Sequence, residues 1–145
     1  MTARTSTMRT GSIVVAVVLA ASMALPAGAA PSISMGEAVN GKVVQVKLGS
    51  LVSVMLHSTY WHAASMPQRR LLRPLGPVVR TAILPGAKAP AGCRIAGSGC
   101  GSVLWRFRAA HLGSARFVAT RVSCGEAMRC TAAQGHYSVT IRIVR

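Results

Sequence analysis

The stretch CRIAGSGCGSVLWRFRAAHLGSARFVATRVSCGEAMRC, Cys93 to Cys130, decides how the rest of the chain is read. Within it Val103, Trp105, Phe107 and Ala109 alternate with Leu104, Arg106 and Arg108, the period-two pattern of a strand with one buried face. His111 to Gly113 turns this run, and Ala115 to Val122 returns as a second one. Each run has a cysteine-bounded loop on its outer side, so the domain is expected to be built around the pair. Gly92 to Gly101 carries Gly92, Gly97, Gly99 and Gly101 among its residues, which demands a tight loop with unusual backbone angles.

Four cysteines allow three pairings. In a short exported chain they read as two disulfides, and the local pairs are expected, Cys93 with Cys100 and Cys124 with Cys130, because each clamps one loop beside one strand. A zinc site would want the closer Cys-x-x-Cys spacing, and no metal is expected.

Working outward, Tyr137, Val139, Ile141 and Ile143 form one face of a last strand, with Ser138, Thr140, Arg142 and Val144 on the other. Towards the N-terminus, Gly41 opens a run in which Val44, Val46 and Leu48 alternate with Gln45 and Lys47. Gly49-Ser50 turns it, and Leu51 to His57 resumes the alternation through Val52, Val54 and Leu56. These read as consecutive strands joined by a tight turn. Tyr60-Trp61 follows, with Trp61 read first as a core residue at the start of a third strand and second as part of a binding loop. Met66 to Pro90 contains Pro67, Pro74, Pro77 and Pro85 and reads as one edge strand and a long loop. Residues 30–40 have no period and read as a flexible arm or a weak first strand. The sum is an all-β chain with a single immunoglobulin-like β-sandwich of six or seven strands over residues 41–145.

The N-terminus has Arg4 and Arg9, then an apolar run from Ile13 to Leu25, then Ala27-Gly28-Ala29. That is the three-part layout of a secretory signal peptide over residues 1–29, cleaved after Ala29, and the apolar run falls short of the roughly 20 residues a membrane span needs. The expectation is a secreted or cell-envelope protein with no membrane span after processing. The whole chain has 17 Lys and Arg against 2 acidic residues. Without Arg4 and Arg9 the domain carries about +13 against Glu37 and Glu126, a balance that attracts anionic surfaces.

Catalysis has little to work with. No aspartate is present, and nothing in the spacing of Glu37 and Glu126 brings them together. His57, His62, His111 and His136 are scattered; His57 and His62, if on one strand, would point to opposite faces. The chain therefore reads as a non-enzyme without cofactor. Single-strand nucleic-acid binders interleave basic residues with exposed aromatics, whereas the six aromatics here mostly fall on apolar faces, so nucleic acid is not an expected partner.

The order of features from Gly41 onward resembles the chagasin-like inhibitors of papain-family cysteine proteases. The matching residues are Val44-Gln45-Val46-Lys47-Leu48-Gly49 with the strand Leu51 to Leu56, then Trp61, the glycine-rich Gly97-Ser98-Gly99-Cys100, the strand Val103 to Ala110 with Gly113 at its turn, and Arg121. This chain departs from the family pattern at three places: His57-Ser58-Thr59-Tyr60 lacks the Pro and Gly of the first loop, Cys100 replaces the last glycine of the second, and Val122-Ser123 replaces the Pro-Trp after Arg121. The resemblance implies an immunoglobulin-like sandwich that blocks a papain-family protease through loops 57–61, 97–101 and 121–130. Ser58, Thr59, Tyr60, Trp61, Gly97, Ser98, Gly99 and Arg121 are the contact candidates. The alternative from charge alone is an envelope-associated module that holds an anionic polymer, lipid surface or acidic protein on Arg69, Arg70, Arg73 and Arg80, with Arg106, Arg108 and Arg116 on outward strand positions.

Overall fold

The structure, a computed structural model, describes residues 30–125 and 127–145; the expected signal peptide and Glu126 lie outside the described residues. No helix in the described part is long and apolar enough to cross a membrane. Its strands are β1 (Ser32–Met35), β2 (Val43–Lys47), β3 (Leu51–His57), β4 (His62–Ser65), β5 (Leu72–Pro74), β6 (Val79–Ala82), β7 (Gly101–Ala109), β8 (Gly113–Thr120), β9 (Ser123–Gly125), β10 (Met128–Arg129) and β11 (His136–Val144).

A five-stranded sheet runs β1-β3-β7-β5, with β6 also paired to β7, and a four-stranded sheet runs β2-β11-β8-β4. The strands β9 and β10 form a separate hairpin. The alternation predicted along the chain is what closes the two sheets on each other. Val103, Trp105, Phe107 and Ala109 face inward from β7, Ala115, Phe117 and Ala119 from β8, and Tyr137, Val139, Ile141 and Ile143 from β11. The chain is an immunoglobulin-like sandwich, with each sheet's period-two apolar face buried against the other's.

Strands β7 and β8 are central, though not as a hairpin. The first is hydrogen-bonded to β3, β5 and β6 and the second to β11 and β4, so the turn between them crosses from one sheet to the other. Their inner faces meet through aromatic rings. Phe117 lies 5.1 Å from Trp105, 6.0 Å from Phe107 and 6.3 Å from Tyr137, all tilted or edge-on. Such pairs add about 1 kcal/mol each beyond area burial.

The same crossing occurs at Gly49. Strands β2 and β3 are consecutive but belong to different sheets, and the chain turns between them at Gly49, whose φ of 84° an L side chain rarely adopts. Leu48, expected on the buried face, sits in this turn and is 46% exposed, because the strand ends at Lys47 before its alternation can carry Leu48 inward.

Residues 30–40 take the second of the two forms expected of them. Ser32 to Met35 pairs in parallel with β3, and Met35 is buried. A short 3-10 turn, Glu37–Val39, then carries the chain across to β2, which runs parallel to β11. The strand count exceeds seven for a related reason. Met66 to Pro90 holds two short strands rather than one, β5 and β6, which pair with successive parts of the same edge of β7 on either side of Gly76-Pro77.

Candidate functional site

The loops after β3, before β7 and after β8 lie at one end of the sandwich. Antiparallel register places His57 opposite Ser102, and His62 opposite Thr120, which is itself opposite His136. Residues 58–61, 83–100, 121–125 and 127–135 therefore share that end, although they come from both sheets.

The first two loops are bonded to each other. Backbone N–H groups of Ser58 and Thr59 donate to the carbonyls of Gly101 and Gly99, each at 2.8 Å. The Tyr60 hydroxyl donates to the Gly97 carbonyl at 2.7 Å. Gly99, at φ 66°, is where the Tyr60 ring comes to rest: a Cβ there would stand 2.2 Å from Tyr60 Cε2. The missing side chain thus makes room for the protein's own tyrosine, and the tyrosine fixes the loop. Cys93 and Cys100 are bonded, as are Cys124 and Cys130, so each loop is closed by the local pair expected.

Trp61 is buried, in keeping with the first of its two readings, and its indole N–H donates to the His57 carbonyl at 3.0 Å. It braces the loop from below and does not offer a free face. Arg121 covers it, the guanidinium carbon 4.8 Å from the ring centroid, while Arg121 Nε donates to the Gln134 carbonyl at 3.1 Å. A stacked pair of this kind is worth about 1 kcal/mol. It ties the third loop to the first. Beside it an open cleft of about 710 Å³ is bordered by Asn40, Arg121, Arg129, Thr131 and His136.

The arginines assigned to one anion-binding face are not all together. Arg73 on β5 stands directly opposite Arg108 on β7, with Arg106 on the same outward face. Arg69 and Arg70 are exposed in the turn before β5, and Arg70 donates to the Gln68 side chain. Arg116 projects from the other sheet, on β8. Arg80 is different again. Its register partner is the inward-facing Val103, so its side chain leaves towards the loop end, where Nη1 donates to the Thr59 carbonyl at 2.6 Å and Nη2 lies 3.4 Å from His62 Nδ1. Arg80 is a brace for the first loop, a role that sequence spacing cannot show because β6 and that loop are brought together only by the sheet.

His57 and His62 do not share a strand: one ends β3 and the other begins β4. Glu37, from the 3-10 turn, accepts the His57 backbone N–H and lies 3.1 Å from its Nδ1. Burial pushes the Glu37 carboxyl up, but the backbone N–H groups of His57 and Glu37 and the His57 imidazole outweigh it and hold the group below its ordinary value. Among the described residues no three His, Cys, Asp or Glu side chains come together as a metal site would need.

The fold and the loop end together define a class, the immunoglobulin-like sandwich with three loops braced at one end. No protein-family model and no characterised sequence matches the chain. Among solved structures it is similar to the cysteine protease inhibitor EhICP2 from Entamoeba histolytica, with a TM-score of 0.53 at 8% identity, over 80% of this chain and 98% of that one. Amebosin follows with a TM-score of 0.49 at 14% identity, over 79% and 99% of the two chains. PbICP-C, solved in complex with falcipain-2, has a TM-score of 0.30 at 9% identity, over 79% and 98%. The first of these, with a TM-score above 0.5, shares the overall fold of this chain.

Proposed function

We propose that the chain is a secreted, non-enzymatic inhibitor of a papain-family cysteine protease, acting outside the cytoplasm through the loop end. The observation that carries this reading is the cross-bracing of the three loops. Tyr60 to Gly97, Thr59 to Gly99, Arg80 to Thr59 and Arg121 over Trp61 join segments from both sheets into one edge. Inhibition by a wedge needs little chemistry but much preorganisation, since every loop already held in place spares the ordering entropy of binding. Ser58, Thr59, Ser98 and Gly99 supply the crest, and Arg121, flat against Trp61, flanks it towards the cleft beside the third loop. Two disulfides agree with an oxidising compartment.

The test is inhibition of a panel of papain-family proteases by the oxidised chain at two salt concentrations. Tight inhibition that hardly changes with salt is expected, because a cleft filled by loop backbone excludes the screening ions. Absence of inhibition at micromolar concentration would overturn the proposal. Gly99→Ala in the same assay should weaken inhibition at least tenfold, since the added methyl displaces Tyr60.

A further inference from the structure

The outer face of the five-stranded sheet carries a second cluster, distant from the loops. Backbone pairing sets Arg73 directly opposite Arg108, and Arg106 lies two residues before it, on the same side of β7, with Phe107 between them buried. Side chains opposite each other across strands start about 5 Å apart, and those two residues apart along a strand about 7 Å. Like charges facing each other in this way are destabilising. Nothing in the described protein relieves them. Arg70, Arg80, Arg94 and Arg121 each donate to a protein oxygen, whereas the Arg73, Arg106 and Arg108 side chains have no such partner among the described residues. Glu37 is engaged with His57, at the opposite end of β3 from Leu51, the partner of Arg108 and thus about 20 Å away along the strand. A shallow cleft of about 330 Å³ lies alongside, bordered by Ser32, Leu51, Ser53 and Arg106.

We propose that this face binds a linear polymer of linked phosphate or sulfate groups. Guanidinium forks match phosphate and sulfate oxygens two at a time, and three forks on a flat sheet can each take one group of an extended chain. The bound anions would remove the repulsion that the backbone register imposes. A bilayer carrying the same headgroups fits less well. Met55 and Val79 lie in a neighbouring row of the same sheet, and Met66 and Val78 border a pocket with Arg106; all four side chains are shorter than arginine, and none is the Trp, Phe or Leu that interfacial binding inserts below the charges.

The experiment measures affinity of the oxidised chain for long-chain inorganic polyphosphate, with two triple variants of equal charge. One carries Arg73→Gln, Arg106→Gln and Arg108→Gln. The other carries Lys47→Gln, Arg116→Gln and Arg142→Gln, three exposed positions on the outer face of the opposite sheet. The first is expected to bind at least tenfold more weakly than the second. Equal weakening would mean that net charge alone is sensed and would overturn the site. In a parallel arm, binding to vesicles of phosphatidylcholine and phosphatidylglycerol without binding to polyphosphate would overturn the choice of a polymer. If the first triple variant fails to fold, Arg108→Lys decides: it keeps the charge and loses the fork, so about threefold weaker binding is expected, and unchanged affinity would overturn the proposal.

Discussion

Tyr137 carries the sharpest conflict between a side chain and its surroundings. Its ring is part of the aromatic centre with Phe117, yet its hydroxyl is buried without a hydrogen-bond partner among the described residues. Burial first, and the Glu37 charge second, push its pKa up to about 12. A raised folded-state pKa means that the neutral form stabilises the fold. That contribution is complete below the ordinary value of 10 and is lost as pH rises from there through about 12. Tyr137→Phe should therefore abolish the loss of stability between those pH values in denaturant titrations. At neutral pH the variant should be no less stable than the parent, and up to about 1 kcal/mol more so, since removing an unpartnered buried hydroxyl removes its desolvation cost. A destabilised variant would show that the hydroxyl has a partner in solution. Ser50, buried with its hydroxyl equally unpartnered, poses the same problem in smaller form.

At the scale of elements, the loop before β7 shows how local and long-range constraints divide their work. The Cys93–Cys100 bond closes a short segment, and in the chain-entropy account a bridge spanning so few residues contributes about 2 kcal/mol. Tyr60, Thr59 and Ile83, whose N–H donates to the Cys100 carbonyl, anchor the end of the loop at residues 97–100, while the bridge holds its start at Cys93. Reduction should therefore loosen the loop while the sheets persist. Protease inhibition is expected to fall at least tenfold on reduction under conditions where far-ultraviolet circular dichroism is unchanged. Equal inhibition by oxidised and reduced chains would show that the bridge does not preorganise a binding edge.

Over the whole molecule, the N-terminal segment acts as a strap between the sheets. It leaves the first sheet at Met35, presents Glu37 to the end of β3 and enters the second sheet at Val43. The Glu37 carboxyl is held below its ordinary value of 4.5, so its contribution to stability is present above that pH and is lost as pH falls through the lowered value. Both partners are well exposed, and solvent screening limits the pair to about 0.5 kcal/mol. Glu37→Gln should flatten the acid side of the stability profile by that amount. An unchanged acid limb would show that the strap is held by Met35 and the β1–β3 pairing alone.

What the sequence determined by itself is whatever repeats at short range. Inward and outward faces of β3, β7, β8 and β11 follow from period two, because successive side chains must leave a strand on opposite sides. The local disulfides and the glycine-rich loop were legible for the same reason, as their constraints close within ten residues. The tertiary structure alone decided which strands are neighbours. Alternation in Val44 to Val54 is the same whether the Gly49 turn makes a hairpin or a crossing between sheets, and the same holds at His111 to Gly113. Only the depth of the buried faces, and the need for each sheet to cover the other, selects the crossing. Arg80 bracing Thr59, Arg121 stacked on Trp61 and Arg73 forced against Arg108 are consequences of that selection, since each joins segments that meet only when the two sheets close.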